Sequence, residues 1–153
     1  MRPASERDAP RHPDERVARV IDFFETLSPE ALARLGEVYT EDARFKDPFN
    51  EVIGLAPIRE VFEHMYRSLD RPRFVVHDVV VDGSQCVLTW DFLFHFRRFT
   101  DEPQAVRGAS HLRLAADGRI SMHRDYWDVA EELYEKLPGI GALMRWLKRR
   151  ARS

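Results

Sequence analysis

FVVHDVVVDGSQCVLTWDFLFHF, residues 74–96, decides the fold. Upstream of it apolar residues recur every three or four positions; within it the period falls to two, the signature of strands. Phe74–Val81 is rich in valine and stops at Asp82-Gly83, a pair suited to a tight turn between strands. Val87–Phe99 then reads as a long aromatic strand. A loop around Thr100–Pro103 leads to a strand near Val106–Leu114, and Asp117-Gly118 turns the chain into Ile120–Trp127. Four strands joined by short turns predict an antiparallel meander.

Working outward, helices come first. Val17, Val20, Ile21 and Phe24 fall on one helical stripe that runs to about Thr26. Ser28-Pro29-Glu30 restarts a helix, because serine can cap it and proline needs no N–H in its first turn. Leu32 and Leu35 give that helix its apolar side, and Gly36 weakens or ends it. The segment Ala43–Gly54 is irregular in pattern, since Asp47 precedes Pro48 and so avoids the helical region. Ile58, Val61, Phe62, Met65, Tyr66 and Leu69 then mark a third helix with a wide buried stripe. After the strands, Asp128 and Glu131 have capping-box spacing. Pro138-Gly139 interrupts the helix, and Ile140, Leu143, Met144 and Leu147 form a last stripe. The expected organisation is a tail over residues 1–13, a domain over 14–135 and a basic amphipathic helix over 136–153.

Composition narrows the function classes. A chain of 153 residues can bury one sizeable core. A formal charge of −2 gives no general reason to expect nucleic acid as a partner. The single cysteine, Cys86, excludes an internal disulfide and sits in an apolar run as a core filler. No apolar stretch reaches the ~20 residues of a membrane span. The opening MRPASERDAPRHPDE lacks the apolar core of a secretory leader, so the expected location is cytoplasmic.

The order helix, helix, irregular acidic segment, helix, antiparallel sheet resembles the NTF2-like superfamily over roughly Asp14–Val129. DARFKDPFNEVIG (Asp42–Gly54) is similar to the segment that begins to line the pocket there, with Phe45 inside it. Ala56–Leu69 looks like the helix that closes the cone. DGRISMHRDYWD (Asp117–Asp128) is similar to the last turn and strand of SnoaL-like cyclases and limonene epoxide hydrolase-like proteins. The resemblance implies an α+β cone: N-terminal helices on a curved antiparallel sheet, an extra C-terminal helix, and a pocket for a hydrophobic small molecule. It does not fix an activity, since the superfamily includes isomerases, cyclases, hydrolases, dehydratases and binding domains.

Several polar residues could line such a pocket. Asp125 leads, because Arg124-Asp125-Tyr126 resembles the place where epoxide hydrolase-like relatives carry a catalytic carboxylate. A carboxylate in an apolar cone can serve as general acid or base; the alternative is pairing with Arg124 or Arg113 for structure alone. Asp47 comes second, against a plain role in an Asp-Pro turn. Asp91 is a charge among aromatic residues, costly to bury unpaired. His111 and His123, on adjacent strands, could carry protons near neutral pH. Thr89, Trp90, Leu93, Tyr126 and Trp127 complete the expected pocket lining. In limonene epoxide hydrolase-like proteins the Asp91 strand supplies an arginine and an aspartate two residues apart; Asp91 and Leu93 stand there instead, which argues against that triad. The six histidines lack metal-ligand spacing, and neither metal nor cofactor is expected.

Alternation divides the long strand into Val87, Thr89, Asp91, Leu93 and His95 on one face, and Leu88, Trp90, Phe92, Phe94 and Phe96 on the other. Either the aromatic row packs on the helices, or the mixed face lines the cone and the aromatic row meets a second subunit. The working expectation is the second, hence a two-fold homodimer through the sheet. From Lys136 onward there are six basic residues and no acidic ones. That end suits a helix terminus packed on the domain, or weak contact with an anionic membrane surface. Three classes stay open: an acid–base enzyme, a non-catalytic binding protein, and a protein- or membrane-interaction module.

Overall fold

The computed structural model describes residues 11–98, 101–137 and 139–152. Most of the expected N-terminal tail (1–10), residues 99–100 of the loop after the aromatic strand, and Pro138 of the last helix break lie outside them.

Helix α1 (Glu15–Glu25) begins where Asp14 accepts a hydrogen bond from the Arg16 backbone N–H, and it buries Val17, Val20, Ile21 and Phe24. A 3₁₀ segment (Glu30–Glu37), kinked at Arg34, buries Leu32 and Leu35. Then come β1 (Tyr39–Lys46), β2 (Glu51–Ile53), α2 (Leu55–Ser68), β3 (Leu69–Asp82), β4 (Gln85–Phe96), β5 (Gln104–Leu114) and β6 (Ile120–Tyr126). The single turn α3 (Val129–Glu132) and helix α4 (Ile140–Ala151) close the chain. The six strands form one curved, unclosed sheet in the order β2-β1-β6-β5-β4-β3, with the helices packed on it. All neighbours are antiparallel except β1 and β6, which run parallel.

The α+β cone expected from the sequence is present, with two differences in its strands. The segment read as irregular forms β1 and β2. Asp47 creates the turn between them, its Oδ1 accepting from the backbone N–H of Phe49 (2.8 Å) and Asn50 (2.6 Å). Strand β3 begins at Leu69, before Pro72 rather than after it. Proline is tolerated there because β3 is an edge strand and its register slips between Asp70 and Arg73.

A third difference concerns the faces of β4. The aromatic row points inward: Leu88, Trp90 and Phe94 are buried, and Phe92 and Phe96 pack against the core. The mixed face points away from α1 and α2, and near Asp91 and Arg107 it borders α3 and α4 instead. Burying the aromatic row against α1 and α2 removes far more apolar area from water than the mixed face could. The row is therefore covered within one chain, and the reason for expecting a partner on it falls away.

Gly108 on β5 lies directly across from Trp90. A Cβ at Gly108 would sit 2.4 Å from the indole, so the absent side chain is what lets the ring lie across β5. Cys86 is buried in the same face, and burial pushes its thiol up to about 11, which keeps it protonated and inert.

Candidate active site

Strand alternation on β6 turns His123 and Asp125 inward and Arg124 and Tyr126 outward. Cross-strand register sets Asp125 opposite Ser110, and Ser110 opposite Leu88. Trp90, Ser110, His123 and Asp125 thus meet on the inner surface of three adjacent strands. Tyr39, from the start of β1, completes the group.

They form one hydrogen-bonded chain. Trp90 Nε1 donates to Ser110 Oγ at 2.9 Å, and Ser110 Oγ donates to Asp125 Oδ1 at 2.5 Å. His123 Nε2 lies 2.6 Å from that same oxygen, and its Nδ1 lies 2.7 Å from the Tyr39 hydroxyl. The proton positions follow from the partners. With Asp125 ionised, the carboxylate offers no proton and His123 Nε2 donates to it. With the ring neutral, Nδ1 accepts and Tyr39 donates to it. Burial, aided by the negative charge of Asp125, raises the Tyr39 phenol well above its ordinary value, so the phenol keeps the proton it donates.

The His123 ring is fixed on every side. Tyr39 lies parallel to it and end-on through the hydroxyl, with ring centres 6.0 Å apart, while Phe45 and Phe24 meet it edge-on at 4.7 and 5.5 Å. Asp125 Oδ1 receives both hydrogen bonds, and Oδ2 makes none among the described residues. The carboxylate borders a small cavity of about 20 Å³ lined also by Phe24, Phe62, Phe74, Val76, Leu88 and Trp90. That volume suits about one water molecule. The cone is thus nearly filled by its own aromatic side chains, where the resemblance had implied a pocket for a hydrophobic small molecule.

Of the residues singled out from sequence, Asp125, His123 and Trp90 come together here, and Phe45 supports them. The others lie elsewhere. Asp91 pairs with His77 at 3.0 Å on the outward face. Thr89 Oγ1 accepts from the Asp78 backbone N–H, and His111 bonds Gln85 at 2.9 Å, both also outward. Leu93 faces outward with Arg73. Tyr126 is exposed and carries Arg124 over its ring at 4.7 Å. Trp127 packs edge-on against Phe49 at 5.6 Å, and Asp47 serves its own turn. The placement of Asp91, Thr89, Leu93 and His111 follows from the corrected face of β4 and from the register it imposes on β5.

Arg124 and Arg113 point outward, so neither pairs with Asp125; its partners are a hydroxyl and an imidazole. Tyr39, Ser110, Phe24, Phe62 and Phe74 were not anticipated. Ser110 did carry a signal, as the one hydroxyl between buried Val106 and Leu112 on the inward side of β5. Among the described residues no three His, Cys, Asp or Glu side chains cluster as a metal site would need. The inward positions of β4 are Leu88, Trp90, Phe92 and Phe94, so that strand offers Asp125 no arginine or second carboxylate.

Fold and interior together define a small α+β cone with a buried hydrogen-bonded chain. Residues 20–123 match the SnoaL-like domain family. The chain belongs to that family, within the NTF2-like superfamily. Similar solved structures include a Catenulispora acidiphila protein of ketosteroid isomerase-like fold in complex with trimethylamine. It shares 18% identity at a TM-score of 0.66, over 78% of this chain and 90% of that one. An NTF2-like protein of unknown function from Burkholderia pseudomallei shares 14% at 0.66, over 76% and 92%. A limonene epoxide hydrolase-like enzyme of Mycobacterium tuberculosis shares 17% at 0.62, over 84% and 91%. At these identities the likeness is one of fold. No curated protein matches the chain.

Proposed function

We propose that this SnoaL-like protein binds a compact hydrophobic molecule inside the cone and moves a proton on it, with Asp125 as the acid–base group and no cofactor. One observation carries the reading: a single carboxylate on an aromatic interior wall, with one oxygen held by Ser110 and His123 and the other without a partner among the described residues. Ser110 and His123 orient the carboxylate, and Tyr39 holds His123 in the tautomer that serves it. Isomerisation, aldol-type cyclisation, dehydration and hydrolysis all begin with a proton transfer of this kind. The related fold in complex with trimethylamine supports a small ligand. Hydrolysis through a triad like that of limonene epoxide hydrolases has no support in the inward residues of β4.

Admission of a ligand larger than water requires Phe24 on α1 or Phe62 on α2 to move, because those rings and the sheet enclose the cavity. The reaction can be tested before the natural substrate is identified. Wild type, Asp125→Asn and Asp91→Asn are incubated in D₂O with a panel of cyclic ketones and β-keto esters, and α-proton exchange is followed by NMR. Wild type and Asp91→Asn should exchange at least one of them, with Asp125→Asn slower by about 10²–10⁴-fold. Equal exchange in Asp125→Asn and wild type would remove Asp125 from the chemistry and leave the binding-only alternative.

The homodimer belongs to the same proposal. Val80, Val87 and Tyr126 expose apolar surface on the outward face, where a second copy could pair. Light scattering on the purified protein decides it, and a monomer at all concentrations would end that part.

A further inference from the structure

Helix α4 carries the most apolar surface left in water. Leu143, Ile140, Trp146 and Leu147 are 52, 49, 47 and 45% exposed. At 100° per residue they fall on one continuous arc. The opposite side of the helix meets the domain: Gly141 is buried, while Met144, Lys148 and one edge of Leu147 lie beside Asp128, Ala130 and Glu131. Lys148 pairs with Glu131 at 3.7 Å, and Lys136 and Arg107 pair with Glu132, so the segment is tied to β5 by ion pairs. The apolar arc therefore faces away from the protein and owes its exposure to the way the helix is anchored.

The charge of this segment selects what the arc can meet. From Lys136 to Ser153 there are six basic residues and no acidic one, in a chain whose formal charge is −2. Arg150 stacks over Trp146 at 5.3 Å, and at 100° per residue it falls within the arc, between Trp146 and Leu143. Arg149 follows on the flank beyond Trp146, while Arg145 turns to the domain beside Asp91, Arg107, Glu131 and Glu132. Pairing two copies through this arc would bring like charges together. An anionic bilayer satisfies both features, taking the apolar side chains into its interface and setting the arginines among its phosphates. The twelve-residue helix is about 18 Å long and could lie on such a surface but not cross it. Among the described residues no helix is long and apolar enough to cross a membrane.

We propose that α4 docks the protein on an anionic lipid surface, with Ile140, Leu143 and Trp146 in the headgroup–acyl boundary, Leu147 at its edge, and Arg149 and Arg150 at lipid phosphates. The proposal stands apart from the chemistry inside the cone.

The test is sedimentation of the full chain with vesicles of phosphatidylcholine alone and of phosphatidylcholine with phosphatidylglycerol in equal parts, at low and high salt. Binding should be at least about tenfold stronger to the anionic vesicles and weaken with salt, since each arginine is worth about fivefold there. Trp146 emission should shift to the blue on binding, and Trp146→Phe should remove that shift. Leu143→Ser with Leu147→Ser should lower binding by about tenfold or more, and Arg149→Glu with Arg150→Glu should abolish the preference for anionic lipid. All these sites are exposed, so circular dichroism should show an unchanged fold. Absence of binding to either vesicle overturns the proposal, as does equal binding to both. So would sedimentation equilibrium showing a dimer that Leu143→Ser dissociates, because the arc would then belong to a second copy.

Discussion

The two faces of the sheet use the same polar residue types to opposite ends. On the inner face Asp125, His123, Ser110 and Tyr39 form a single chain in apolar surroundings. On the outer face Asp91, His77, His111 and Thr89 make separate pairs that water reaches. An aspartate and two histidines would look alike in a list of candidates. What separates them is the cost of an unmet partner, about 1–3 kcal/mol for a buried polar group and little for an exposed one. Position on the pleat, rather than residue type, makes the inner set a candidate site.

Paired substitutions break or sharpen that contrast. The largest difference is expected in chemistry: Asp125→Asn should slow proton exchange by about 10²–10⁴-fold while Asp91→Asn leaves it unchanged. Next comes stability. His123→Ala opens space in the core and strands both Tyr39 and Asp125, and should cost about 2–4 kcal/mol in urea denaturation. His111→Ala on the outer face should stay within about 0.5 kcal/mol.

Gly108→Ala should cost about 1–3 kcal/mol and change Trp90 fluorescence, because the added methyl displaces the indole from β5 and breaks its bond to Ser110. A silent Gly108→Ala would mean that the indole is free to sit elsewhere.

The smallest effects are in pH dependence, and they have opposite signs. The Arg16 guanidinium beside Asp14 lowers that carboxyl to about 2, below its unfolded value. Its contribution is present above the unfolded value and lost as pH falls from about 4 toward 2. Asp14→Ala should flatten that limb slightly, the pair being exposed. Tyr39 is raised instead, so the native state retains a proton that the unfolded chain gives up. Stability should fall as pH rises past about 10, and Tyr39→Phe should remove part of that fall. Tyr66, raised to about 12 by burial, adds to the same limb.

Much of the fold could be read from periodicity alone. Val17, Val20, Ile21 and Phe24 mark α1 without ambiguity, and Asp82-Gly83 and Asp117-Gly118 mark two turns of the sheet. Strand β1 escaped because Asp47-Pro48 drew attention to a turn, although Ala43 and Phe45 alternate with Arg44 and Lys46 as a strand should. Its parallel pairing with β6 joins residues about eighty positions apart, which no local pattern encodes.

The site was half legible for the same reason. Asp125 and His123 are two apart on one strand, so their common face follows from the sequence. Ser110 and Tyr39 join them only through register. The face of β4 was misjudged because a charged residue among aromatics suggested a pocket. The energetics of burial favour the opposite: the helices cover the aromatic row, and Asp91 remains where His77 can reach it.

The central claim is that the inner polar groups form one directed chain ending at Asp125. The most direct measurement is ¹⁵N-detected NMR of the His123 ring at about pH 8, where an ordinary imidazole is neutral. The account expects a fixed tautomer with the proton on Nε2 and Nδ1 accepting from Tyr39, altered in Asp125→Asn and in Tyr39→Phe and unaffected by Asp91→Asn. A ring that averages between tautomers as an exposed imidazole does, or one protonated on Nδ1, would contradict it.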